Sequence, residues 1–143
     1  MSIDADFTFH LSREVPVADL QPAAEAAGWS FEDDGDLAYA IGPDLFDWIV
    51  AAQRTGDEVV RRLESVRVQG EYCAFILTHR EGGAGCIFIV ADSGRSVTVT
   101  PNKNIVPRRG LERFADGEWY LGRLLPVFSG LPLVAYSHTQ DMR

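Results

Sequence analysis

Tyr72-Cys-Ala-Phe-Ile-Leu-Thr-His-Arg-Glu-Gly-Gly-Ala-Gly-Cys-Ile-Phe-Ile-Val-Ala-Asp-Ser-Gly-Arg-Ser-Val-Thr-Val-Thr100 holds three apolar runs, separated by Glu81-Gly-Gly-Ala-Gly85 and by Asp92-Ser-Gly-Arg95. Short β-branched and aromatic runs broken by glycine-containing turns predict two consecutive hairpins, hence a three-stranded antiparallel meander. With the turns centred near Gly82-Gly83 and Ser93-Gly94, the two-residue period puts Phe75, Leu77, Cys86, Phe88, Val90, Val97 and Val99 on one face, the core. The other face carries Ala74, Ile76, Ile87 and Ile89 beside Thr78, Ser96, Thr98 and Thr100, and is either partly covered or a binding surface.

Upstream, Asp6-Phe-Thr-Phe-His-Leu11 alternates apolar with polar residues and predicts a half-buried strand. Val17, Leu20, Ala24 and Ala27 recur at helical spacing, with Gly28 at the place of a left-handed cap. Trp29–Asp33 and Leu37–Ile41 flank Asp34-Gly35 and read as a hairpin. A second helix is expected after Gly42-Pro43-Asp44, with Leu45, Phe46, Trp48, Ile49 and Ala52 on its apolar side. A third runs from Asp57 to about Val66, with Val59, Val60, Leu63 and Val66 inward and Arg61, Arg62 and Glu64 toward water.

Downstream, residues 101–110 read as irregular, and Asp116 is placed to cap a helix carrying Trp119, Tyr120, Leu124 and Leu125. Trp48 and Trp119 are assigned to the core, and Tyr120 is the ring expected outside. Leu131–Tyr136 predicts an edge strand, followed by a seven-residue polar tail. Neither a repeat nor a linker interrupts the 143 residues, so the expectation is a single α+β domain over 1–143: an antiparallel sheet with the meander in its C-terminal half, packed against two to four helices.

Composition narrows the function classes. Hydrophobic residues make up 46% of the chain and charged residues 24%, which excludes disorder, fibres and a disulfide-stapled miniprotein. The first residues form no signal-like segment and no run is long enough to span a membrane, so a cytoplasmic location without membrane contact is expected. Residues 1–60 hold 13 acidic side chains against Arg13 and Arg54 alone, a net −11, whereas residues 61–143 carry a net +3. With the whole chain at −8, the charge balance opposes the counterion release that drives nucleic-acid binding, so no nucleic-acid partner is expected.

Glu32, Asp33, Asp34 and Asp36, followed by Asp44 and Asp47, are the densest charge. They lack the spacing and the closing glutamate of a calcium loop, so no metal is expected. An outward acidic patch of this kind accelerates encounter with a basic partner. Lys103, Arg108, Arg109 and Arg113, with Asn102 and Asn104, form the matching basic segment, which either grips an anion or neutralises the acidic half. Gly82-Gly-Ala-Gly85 joins antiparallel strands and so lacks the helix N-terminus that a phosphate cradle needs.

His79 is expected directly across from Cys86, as nucleophile and base if an acid joins them or as bystanders if not. The leading expectation is a non-catalytic protein-binding domain, an immunity-type or other stoichiometric inhibitor that recognises a basic protein through its acidic surface, without a cofactor. The alternatives are a small enzyme built on His79 and Cys86, or on His10 with a carboxylate, using the arginine loop as an anion clamp, and a ligand-binding or oligomerising domain built on the Ile/Thr face.

Overall fold

The computed structural model describes residues 3–31, 36–42, 45, 47–52 and 56–142. The meander forms as the alternation requires: β5 (Cys73–His79), β6 (Gly85–Val90) and β7 (Ser96–Lys103) pair antiparallel, with Phe75 opposite Phe88 and Phe88 opposite Val99. Gly82 and Gly83 both take positive φ in the first turn, a conformation that side chains with a Cβ resist. All seven residues assigned to the inner face are at most 1% exposed.

Four further strands extend this unit into an open sheet. β1 (Ile3–Leu11) pairs with β7, and β10 (Leu133–Met142) pairs with β1. On the other side β3 (Asp36–Ile41) pairs with β5, and β4 (Ile49–Ala52) pairs with β3, giving the order β10-β1-β7-β6-β5-β3-β4. The two-residue β2 (Trp29–Ser30) also pairs with β5, beyond the end of β3. All helices lie against one face: α1 (Val17–Ala26), α2 (Gly56–Val68) and α3 (Gly117–Leu124) contribute Val17, Leu20, Val59, Leu63, Tyr120 and Leu124 to one cluster with Phe7, Phe9, Phe75 and Phe88. Each fully buried phenylalanine or leucine there contributes about 1.5–3 kcal/mol. A hairpin of β8 (Pro107–Arg108) and β9 (Leu111–Ala115) folds onto the same side near β1 and β10. The α+β class, with an antiparallel sheet and three helices, is as expected.

Several local expectations fail for identifiable reasons. Ile49–Ala52 is a strand, not the end of a helix, because its backbone completes the edge of β3; a short apolar run carries no periodicity that distinguishes the two. Trp29 and its neighbours do not pair with Leu37–Ile41: both segments lie end to end along β5, Trp29 opposite His79 and Tyr39 opposite Phe75. The supposed polar tail continues as β10 to Met142, with Ser137, Thr139 and Asp141 exposed and His138 and Gln140 turned to the helix side of this edge strand. Of residues 101–110, read as irregular, the first three complete β7 and Pro107–Arg108 open the hairpin with Leu111–Ala115. On α3, whose Asp116 cap accepts from the Trp119 N–H at 3.2 Å, Tyr120 is the fully buried ring and Trp119 is half-buried. Trp48 is likewise half-buried and outside the main cluster.

Arg67 occupies the helix position after Leu63 on the inward stripe of α2 and is 1% exposed. Its guanidinium donates to both Glu64 oxygens at 2.7 and 2.8 Å, to Glu14 at 3.2 Å and to the Asp92 carbonyl at 2.9 Å. Glu64, expected in water, turns back to this site and also accepts the Val17 N–H at the start of α1. Burial alone would raise the Glu64 pKa, yet the Arg67 and Val17 bonds outweigh it and hold the carboxyl below its usual range. One buried cation thus ties α2 to the start of α1 and to the β6–β7 turn.

Candidate functional site

The topology sets the two charged segments apart. Asp36 opens β3 and Asp47 precedes β4, both exposed at one edge of the sheet. Glu32, Asp33, Asp34 and Asp44 lie outside the described residues. Arg108, Arg109 and Arg113 sit on the β8–β9 hairpin, exposed, and pair with no described carboxylate. Ala115 at the end of this hairpin is bound by Gln140 of β10, its N–H donating to the Gln140 Oε1 at 2.9 Å and its carbonyl accepting from the amide nitrogen at 2.8 Å. Four strand steps separate β1 from β3 in the sheet. At ~4.8 Å per step this is roughly 19 Å, more than twice the ~8 Å screening length of physiological salt.

Lys103 parts company with these arginines. It ends β7 opposite Gly85 and shares with Asp36, Ala38, Val50 and Ile76 a concavity of about 270 Å³. The basic segment read as one group is therefore divided between the two ends of the molecule.

The histidine and cysteine candidates do not combine. Cys86 stands opposite Leu77, and the His79 N–H donates to the Ala84 carbonyl at 2.8 Å, because the first turn of the meander is centred at Glu81-Gly82, one residue earlier than Gly82-Gly83. A two-residue slip leaves the inner face unchanged and moves only the cross-strand partner. His79 is buried, with Nδ1 accepting from the Glu81 N–H at 3.0 Å and Nε2 donating to the Ala27 carbonyl at 3.3 Å, which defines a neutral ring. Burial is the main cause that lowers its pKa. Burial also pushes the Cys86 thiol well up and the Cys73 thiol to about 12. Neither is a nucleophile at neutral pH. His10 lies exposed on β1 opposite Ser96, away from both. The glycine turn, as expected, holds no helix N-terminus; the Asn104 amide donates to the Gly83 carbonyl at 3.0 Å.

Two surfaces stand open: the Ile/Thr face expected from the alternation of the meander, and the outer edge of β10, which runs on past the expected edge strand of Leu131–Tyr136. The sheet face opposite the helices is uncovered among the described residues and presents half-buried Ile76, Ile87 and Ile89 beside Thr8, Thr98 and Thr100. The outer edge of β10 is unpaired among the described residues, with Val134 65% and Tyr136 51% exposed. Among the described residues no three His, Cys, Asp or Glu side chains converge as metal ligands, and no helix is long and apolar enough to cross a membrane. Compared with known proteins, the chain matches no family model, no curated protein and no solved structure.

Proposed function

We propose that the chain is a non-catalytic protein-binding domain, of the immunity type or another stoichiometric inhibitor, that recognises a basic protein through the acidic segment around β3 and β4. The observation carrying this reading is that Arg108, Arg109 and Arg113, which had to clasp the acidic segment to cancel its field, stand on a hairpin at the other side of the sheet. Asp36 and Asp47 are left exposed and make no ion pair with a described residue. An acidic edge out of reach of the hairpin arginines steers a cationic partner and keeps anionic ones away. The enzymatic alternative loses its His79–Cys86 pair to burial and register.

The test is kinetic. A cationic partner co-purified with the chain is titrated against wild type and D36K/D47K in rising salt. The reading expects an association rate that falls steeply with salt and falls again in the variant. A rate indifferent to both would refute it.

A second reading, a domain that binds a ligand or another copy on its Ile/Thr face, is favoured by one observation: no described helix covers that face. Sedimentation at micromolar concentration separates its two versions, since a monomer leaves the ligand alone.

A further inference from the structure

Beyond that reading, we propose that the outer edge of β10 is a second binding surface, which takes up an extended acidic segment of another protein as an added strand beside the arginine hairpin. β10 is ten residues long, contains neither proline nor lysine, and has a backbone partner on one side only among the described residues. Long edges without such protection pair readily with other chains. The opposite edge strand, β4, has four residues and offers little of this kind.

Charge and side-chain alternation select the occupant. Tyr136, His138 and Gln140 pair with Phe9, Phe7 and Ala5, so they lie on the helix side of the sheet, where the hairpin is anchored. There Arg108, Leu111 and Phe114 meet His138 and Gln140 around an apolar groove of about 260 Å³. A strand added to β10 directs every second side chain toward this groove, and its acidic residues face Arg108, which lines it; Arg109 and Arg113 stand on the same hairpin, and no described carboxylate neutralises any of the three. The alternate side chains lie over Ala135, Ser137 and Thr139, which carry no charge, with Asp141 on that side only at the end of the strand. Backbone bonds supply the attraction and the arginines select the sign. A second copy fits less well: two-fold pairing of β10 with itself keeps both hairpins on one face of the joined sheet and brings their arginines together.

The probe is a fluorescein-labelled decapeptide alternating glutamate and valine, titrated into the full chain, with two control peptides: one with lysine for glutamate and one with a central proline. The expected result is saturable binding that weakens at least about tenfold in R108E/R113E and with either control peptide, accompanied by slowed amide exchange across residues 133–142. Absent binding, equal affinity for the lysine peptide, indifference to R108E/R113E or unchanged exchange overturns the proposal. So does a concentration-dependent dimer abolished by Y136E, which assigns the edge to a second copy. D36K/D47K leaves peptide binding unchanged, so this inference and the basic-partner reading fail separately.

Discussion

Arg67 and the trio Arg108, Arg109 and Arg113 put the same side chain to opposite uses. Arg67 is enclosed, bound by Glu64, Glu14 and a main-chain carbonyl, and holds two helices and a turn together. The hairpin arginines are exposed and without a described acidic partner. The difference separates charge enclosed beneath the helices, where it maintains the fold, from charge left exposed on the hairpin.

The largest effect expected from breaking this contrast is at Arg67. R67A leaves Glu64 partly buried without its cation and costs about 3–5 kcal/mol, read as a drop in the urea midpoint. A loss below ~1 kcal/mol would mean that the cluster is incidental. Gly94→Val comes next. Gly94 has φ +69°, and a Cβ there would lie 2.8 Å from the Arg67 Nη1 and from the Glu14 Cγ. The substitution costs about 1–3 kcal/mol from backbone strain, and part of that cost disappears in an R67A background because the two share a site. Additive losses would dissociate the turn from the cluster.

The same contrast predicts how acid acts. His79 and His138 are held neutral inside, both with pKa lowered chiefly by burial. His138 stacks on Phe7 with ring centroids 4.3 Å apart, and its Nε2 has no hydrogen-bond partner. The unfolded chain therefore binds these protons more tightly than the folded one. Stability is complete above the ordinary histidine pKa of 6.5 and declines as pH falls below it toward the lowered folded values. Thermal midpoints at pH 7.5 and 5.5 check this, and H138F shrinks the difference. An H138F protein with the full wild-type pH dependence would exclude His138 as a source.

The smallest stability effect belongs to the exposed arginines. R108A, R109A and R113A each shift stability by no more than about 0.5 kcal/mol, while any binding through the hairpin weakens. A destabilised R108A would place that side chain in the fold after all.

The sequence revealed the meander because three independent local signals agree there: alternation, β-branched residues and turn glycines. It misled at Ile49–Ala52, where the decision between helix and strand rests on backbone partners in Asp36–Tyr39, outside the local window. Tyr120 is buried more deeply than Trp119, which packs against the core half-buried, because neighbours on a helix point about 100° apart and the helix phase is set by what it packs on. Arg67 falls at the +4 position after Leu63, a stripe position occupied by a charge; this was a visible signal of a buried ion pair. The separation of Asp36 and Asp47 from the hairpin arginines was illegible, since it arises from β1 and β10 joining the far side of β7, a feature of topology alone.

That separation is most directly tested by amide chemical-shift mapping of the full chain with two short peptides, one lysine-rich and one alternating glutamate with valine. The lysine peptide should perturb residues around 36–52, and the glutamate peptide residues 108–115 and 133–142, without overlap. Both peptides moving the same amides, or the lysine peptide moving none near Asp36 and Asp47, would contradict a molecule with two opposite and independent charged edges.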